Sequence, residues 1–259
     1  MLAVPALQGL SQNKTVYYWG RHWELVSRFC PVQGFSLDSF PRTSAGSNIQ
    51  HWASVGPCEY LKLKGEVVLL QTHHQGTEPK WSEWCKALGV SPSAPQLYPE
   101  HLPPAQHVLL APGSGSELKN WPLACFGQVL EILQGHNILF NILFGPVELE
   151  RGLLNEWQNH FPQWSSQFLP CENINELLGL LKQEVFYVGC DSGPGHLAAI
   201  CGCRGLIIFQ HSHPLIWRPW SDRLTCVGSM GSPPTVQGVS EQILSHFQSC
   251  PSQAIIEHK

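Results

Sequence analysis

Four stretches in the second half of this chain are apolar without alternation, and each runs into glycine or small polar residues. They are "QHVLLAPGSGS" (106–116), "NILFNILFG" (137–145), "VFYVGCDSG" (185–193) and "GLIIFQHS" (205–212). A strand with one face in water alternates apolar and polar residues, so continuous Val, Ile, Leu and Phe mark strands covered on both faces, as in a parallel sheet. Helical patterns lie between them. "WPLACFGQVLEILQG" (121–135) opens on Trp-Pro and closes on Gly135, which are start and stop signals. "ELERGLLNEWQNHF" (148–161) and "INELLGLLKQ" (174–183) read as two more helices, and "QFLP" (167–170) as a short strand. Strand and helix in alternation predict a doubly wound α/β fold.

The first half is less regular. "KTVYYWG" (14–20) and "GEVVLLQTHH" (65–74) read as strands. "MLAVPALQGL" lacks a basic leader and reads as a helix of the mature chain, not as a signal peptide. The segment "GVSPSAPQLYPEHLPPAQ" (89–106) holds five prolines and no periodicity, so it reads as a connector. The 259 residues are enough for two domains of about 130 each. The expected division is a smaller domain over 1–95, a linker over 96–105 and a second domain over 106–259. The longest apolar stretch, near 137–145, is too short to span a bilayer. Net charge is −4, and no basic run of five or more occurs, which argues against nucleic acid as a partner. The ten cysteines are irregularly spaced and contain no Cys-x-x-Cys, and several sit inside apolar runs. They read as reduced core thiols rather than as a disulfide framework.

The chemistry lies in the joints. In "DSGPGH" a strand ends, the chain turns through Gly193 and Gly195, and a helix begins near His196. Free N–H groups at a helix start carry partial positive charge and bind anions, and small residues let a ligand approach the backbone. An ordinary tight turn capped by Asp191 and Ser192 would look the same. A second joint of the same kind, "APGSGSELKNWP" (111–122), precedes Lys119 and the helix start at Trp121-Pro122. Neither joint is a P-loop, and "GCDSG" is not a Gly-x-Ser-x-Gly nucleophile elbow. Two such joints on parallel strands of one domain point to a nucleotide diphosphate.

"PGSGSELKNWPLACFGQVLEIL", "FGPVELE" and "DSGPGHLAAICG…LIIFQHSHPLIWRPW" together resemble the C-terminal half of glycosyltransferase family 9, the ADP-heptose:lipopolysaccharide heptosyltransferases. The resemblance implies the GT-B architecture: two Rossmann-like doubly wound domains facing a cleft, with the nucleotide sugar held mainly by the second. It implies that Ser114 and Gly115 contact phosphate, and that Lys119 offsets charge on the departing diphosphate. It implies that Glu148 holds the ribose hydroxyls, with Glu150 as the alternative after a two-residue slip. Ser192, Gly193, Gly195 and His196 would wrap the diphosphate while Asp191 positions sugar hydroxyls. The competing role of His196 is a plain helix-cap histidine. Adenine would lie near "PCENINE" (170–176).

The reaction so implied is inverting transfer of a heptose or related sugar from an ADP-sugar to a lipopolysaccharide-core or other glycan acceptor. It needs neither a metal nor a cofactor beyond the donor. The setting implied is the cytoplasm, with the acceptor bringing the chain to the inner membrane. Two departures stand out. Where the family usually has Gly-Pro-Thr-x-Pro, this chain has Gln210-His211-Ser212-His213-Pro214, which alters a loop near the sugar. The family's first strand and its Gly-Asp pair, whose aspartate takes the acceptor proton, would precede Met1. The N-terminal domain is therefore expected to be incomplete, and Asp38 is the first alternative base. A nucleotide-sugar-binding pseudoenzyme and a related epimerase are the rival readings, and the epimerase is disfavoured by the Pro-Gly-Ser, Lys-x-Trp-Pro and Asp-Ser-Gly-x-x-His set.

Overall fold

The computed structural model describes the backbone of residues 16–19, 32–35, 51–55 and 66–70, and residues 78–88, 91 and 104–249 in full. The expected first helix and Asp38 lie outside the described residues. The chain divides into two compact units, Met1–Leu97 with Leu215–Trp220, and Tyr98–Pro214 with Ser221–Lys259.

In the first unit, β1 (Val16–Trp19) pairs in parallel with β2 (Val32–Phe35), and β3 (His51–Val55) pairs in parallel with β4 (Glu66–Leu70). The strand readings at 14–20 and 65–74 correspond to β1 and β4. Helix α1 (Lys80–Ala87) lies against β4 and buries Trp84 and Cys85. Trp81, on the same helix, stacks at a tilt on Trp220, with ring centroids 5.7 Å apart.

The second unit is built on one sheet of six parallel strands. They are β5 (His107–Ala111), β6 (Phe140–Phe144), β7 (Phe168–Pro170), β8 (Val185–Cys190), β9 (Arg204–Ile208) and β10 (Leu224–Val227). Their order across the sheet is β10-β9-β8-β5-β6-β7. Counted from β5, this is the doubly wound dinucleotide-fold order, with its reversal between β5 and β8. The connecting helices are α2 (Leu123–Gly135), α3 (Pro146–Glu150), α4 (Leu153–His160), α5 (Ile174–Leu181) and α6 (Gly193–Cys201). A short α7 (Pro214–Trp217) and the long α8 (Val236–Ser249) complete the described elements. Among the described residues no helix is long and apolar enough to cross a membrane.

The unbroken apolar runs have the expected cause. Val108, Leu110, Ile142, Phe144, Phe186, Val188, Leu206 and Ile208 face one core, which α2 and α8 cover with Val129, Leu130, Leu133, Val239 and Ile243. The alternate residues Leu109, Leu143, Tyr187 and Ile207 are equally buried on the opposite face, where α6 lies over Tyr187 and Ile207. Trp157, 1% exposed, anchors one end of the first core among Phe126, Phe144, Phe161 and Phe168.

Two readings need correction. The stretch 148–161 is not one helix. It breaks at Gly152, whose φ of +75° is left-handed and ends α3 before α4 begins. The sequence reading also passed over β10, whose short "LTCV" is buried only at Leu224 and Val227. Cys85, Cys171, Cys190 and Cys203 are buried free thiols.

Candidate functional site

In an open parallel sheet a crevice forms where the strand order reverses, because neighbouring connections leave in opposite directions. Here the reversal lies between β5 and β8, paired from His107↔Val185 to Ala111↔Gly189. The chain leaving β5 is the "PGSGSELK" joint and the chain leaving β8 is the "DSGPGH" joint. The topology therefore sets the two glycine joints side by side. The Cys190 thiol stitches them together. It donates to the Pro112 carbonyl at 3.4 Å and accepts from the Trp121 N–H at 3.3 Å. Burial pushes that thiol up to about 12, so it stays protonated and serves as a hydrogen-bonding strut.

Lys119 and Asp191 meet across the joints, with Nζ 2.7 Å from Oδ2. The Asp191 side chain is 5% exposed and the Lys119 side chain 31%, so the carboxylate is withdrawn from water while the ammonium reaches it. Ser212 donates to the same Oδ2 at 2.6 Å. Charged hydrogen bonds of this kind fix a carboxylate more firmly than neutral ones.

The turn into α6 leaves donors unused. Ser192 is the N-cap, yet its side chain makes no capping bond. Its Oγ is buried and has no hydrogen-bond partner among the described residues. The Tyr187 hydroxyl, which faces it, makes no hydrogen bond of ordinary geometry either. A helix N-terminus whose N-cap hydroxyl is not spent on capping is a place suited to a polar ligand. Gly193 opens the helix, and nothing lies within 4 Å of where its Cβ would stand. Gly195 is different, because a Cβ there would meet Ile207 Cδ1 at 3.0 Å, so its smallness serves helix–sheet packing. His196 is half-buried. Burial pushes its imidazole below the ordinary histidine range, against the pull of the nearby Asp191 carboxylate, so the ring is neutral at pH 7.

The first joint is held from two sides. Ser114 is 2% exposed and its hydroxyl turns inward, donating to the Ser116 carbonyl at 2.6 Å with the Asn120 Oδ1 2.8 Å away. Arg151 donates to the carbonyls of Ser114 and Gly115, at 3.1 and 3.0 Å. The Glu148 side chain lies over Gly113, where a Cβ would stand 2.1 Å from its Cγ, and near Gly145, where a Cβ would stand 2.9 Å from Oε2. Glu150 is exposed at the end of α3. A pocket of about 290 Å³ opens beside this joint, lined among others by Ser114, Asn120, Trp121, Glu148, Arg151 and Trp157. The 170–176 segment is closed on itself: Asn173 caps α5 through the N–H groups of Asn175 and Glu176, and Glu176 accepts from the Glu172 N–H.

A family model described as glycosyltransferase family 9 (heptosyltransferase) matches residues 73–246, more than half of the chain. The chain belongs to glycosyltransferase family 9. Lipopolysaccharide heptosyltransferase 3 of Escherichia coli strain K12 is 24% identical over 119 residues. That match covers 46% of this chain, and the chain spans only 35% of that relative's length. Among solved structures, E. coli heptosyltransferase WaaC with ADP superposes with a TM-score of 0.68 at 13% identity, over 95% of each chain. E. coli ADP-heptose lps heptosyltransferase II gives 0.69 at 11% identity, over 96% of this chain and 95% of that one. These likenesses show the GT-B fold that the sequence predicted.

The family-9 site residues named from sequence thus fall into two groups in the structure. Lys119, Asp191, Ser192, Gly193 and His196 gather at the β8 side of the reversal, whereas Ser114, Gly115 and Glu148 gather at the β5 side with the pocket. Sequence reasoning missed Ser212, Gln210, Arg151 and Tyr187. The first two lie in the loop already marked as departing from the family pattern. Arg151 follows Glu148 by three residues, a spacing that puts two side chains on one side of a helical turn.

Proposed function

We propose that this chain is an inverting glycosyltransferase that moves a heptose or related sugar from an ADP-sugar to a lipopolysaccharide-core or other glycan acceptor. One observation carries the reading. A cation, Lys119, and a helix start whose N-cap Ser192 hydroxyl makes no capping bond stand together at the strand-order reversal. That combination suits a diphosphate. Support also comes from family membership and from a similar structure that was solved with ADP.

In this reading the α6 N-terminus and Ser192 hold the diphosphate, backbone at Gly193 and Gly195 approaches it, and Lys119 faces the bridging oxygen. The acceptor hydroxyl attacks the anomeric carbon as the bond from that carbon to the phosphate oxygen breaks. The hydroxyl proton passes to a carboxylate on the acceptor side, and the electron pair leaves with ADP. Negative charge grows on the leaving phosphate, and Lys119 stabilises that charge most in the transition state. Asp191, fixed by Lys119 and Ser212, offers its other oxygen to sugar hydroxyls. Neutral His196 donates or accepts a single hydrogen bond at the same turn. Glu148 takes the ribose hydroxyls, and the Ser114–Gly115 backbone takes phosphate. The chain acts in the cytoplasm and meets the inner membrane through its acceptor.

Calorimetry of the full chain with ADP, and release of ADP from ADP-heptose in the presence of a lipopolysaccharide-core acceptor, test the reading. Binding with turnover is expected. Binding without turnover would make the chain a nucleotide-sugar-binding module, and no heat at millimolar ADP would overturn both readings.

A further inference from the structure

Lys119 ends a single 3-10 turn, Glu117–Lys119, that buries none of its residues. Leu118, next to it, is 62% exposed. Burial does little to hold such a turn, so its hydrogen bonds matter more for where the lysine stands. The Gln210 side chain reaches it from the loop after β9. Its Nε2 stands 2.9 Å from the Leu118 carbonyl and 2.6 Å from the Asn120 carbonyl. These are the carbonyls on either side of Lys119. Two carbonyl oxygens accept and do not donate, so the amide NH2 end of Gln210, with its two protons, satisfies both where its oxygen could satisfy neither. The Gln210 main chain is held in turn, since its carbonyl accepts from the Gly231 N–H at 2.9 Å. Two residues on, Ser212 binds the Asp191 oxygen that Lys119 also meets. A stretch of three residues therefore grips the backbone on both sides of the lysine and the carboxylate opposite it.

We propose that Gln210 is a positioning residue that sets Lys119 in register with Asp191 through its two amide protons, with Ser212 fixing the carboxylate. Its bearing on transfer rests on the reading of Lys119 as the cation that faces the leaving diphosphate. Gln210→Glu keeps the shape of the side chain and removes both donors, while Gln210→Ala removes the clamp altogether.

Two measurements on the full chain test this. In the first, lysines are acetylated at limiting reagent and site rates are read by mass spectrometry. Lys119 should label at least about 5-fold faster in both Gln210 variants, the low end of what a lost hydrogen-bond pair is worth, with Lys182 unchanged as the internal reference. An unchanged Lys119 rate, or an equal rise at Lys182, would overturn the proposal. In the second, ADP release is followed in a double-mutant cycle. Gln210→Glu should lower kcat about 5-fold in the wild-type chain and add nothing in a Lys119→Ala chain, because its effect passes through the lysine. Equal losses in both backgrounds would overturn it. A Lys119→Ala chain that turns over normally removes the assigned role of Lys119, and the labelling ratio then decides the positioning by itself.

Discussion

Lys119 and Asp191 define the residue scale. In the proposed transfer, alanine at 119 would remove a cation that the transition state needs more than ground-state binding does. Lys119→Ala should therefore lower kcat about a hundredfold while weakening ADP binding much less, a difference that parallel turnover and calorimetry will read. His196 supplies a pH dependence. Its folded pKa is depressed below the ordinary 6.5, so below that value the unfolded chain binds the proton more readily than the folded one. The stability tied to His196 is complete above about pH 6.5 and is lost as pH falls below it. His107 and His246 are pushed in the same direction by burial. Urea unfolding at pH 7 and pH 5 should show the loss, and His196→Gln should reduce it without abolishing it. A His196→Gln chain with the full wild-type loss would mean that the ring does not sit as described.

The glycines separate strand spacing from turn geometry at the scale of the element. Gly205 pairs with Tyr187 across β8 and β9, and a Cβ on it would stand 1.9 Å from the Tyr187 carbonyl oxygen. Neither strand can move away without losing its other neighbour. Gly205→Ala should cost more than about 3 kcal/mol or prevent folding. Gly152 has open space around it and only a left-handed φ to protect, so Gly152→Ala should cost about 1 kcal/mol. Chemical unfolding of the two variants gives the comparison directly. The joint after β5 makes a sharper contrast. An added methyl at Gly113 displaces the Glu148 side chain, whereas at Gly135, at the far end of α2 from the joint, it meets nothing. Gly113→Ala should weaken ADP binding about 10-fold if Glu148 holds the ribose, through loss of a charged hydrogen bond, while Gly135→Ala leaves it unchanged. Equal affinities in the two variants would detach Glu148 from the nucleotide.

For the molecule as a whole, the second unit holds a two-sided parallel sheet, and its candidate site is assembled from four separate segments, 112–120, 145–151, 190–196 and 210–212. A ligand that binds only the assembled site stabilises the folded state by mass action. At a hundred times its dissociation constant, ADP should add about 2.7 kcal/mol and raise the melting temperature accordingly. Core loss acts on the same equilibrium from the other side. Trp157 sits among four phenylalanines, and Trp157→Ala should remove about 3–5 kcal/mol. ADP should recover part of that loss in thermal melts.

The sequence alone determined the parallel sheet, because a strand buried on both faces must be apolar throughout, and 106–111, 137–144, 185–190 and 205–208 are so. It also pointed to the joints after β5 and β8 as the candidate site, because Gly-rich turns between an apolar strand and a helix expose N–H groups. The order of the strands was not written in any one of them. Pairing β5 with β8 joins residues about 78 positions apart, and that pairing brings the joints that carry Lys119 and Asp191 together. Gln210, Ser212 and Arg151 were hidden for a related reason. Each acts on backbone or carboxylate groups that are distant in sequence, and a hydrogen bond between such groups leaves no local pattern to read. The break at Gly152 was visible as a glycine, but only its left-handed φ decided that it ends a helix rather than sitting within one. Local sequence specifies periodicity and turn chemistry, and the choice of which turns meet belongs to the packing of the sheet.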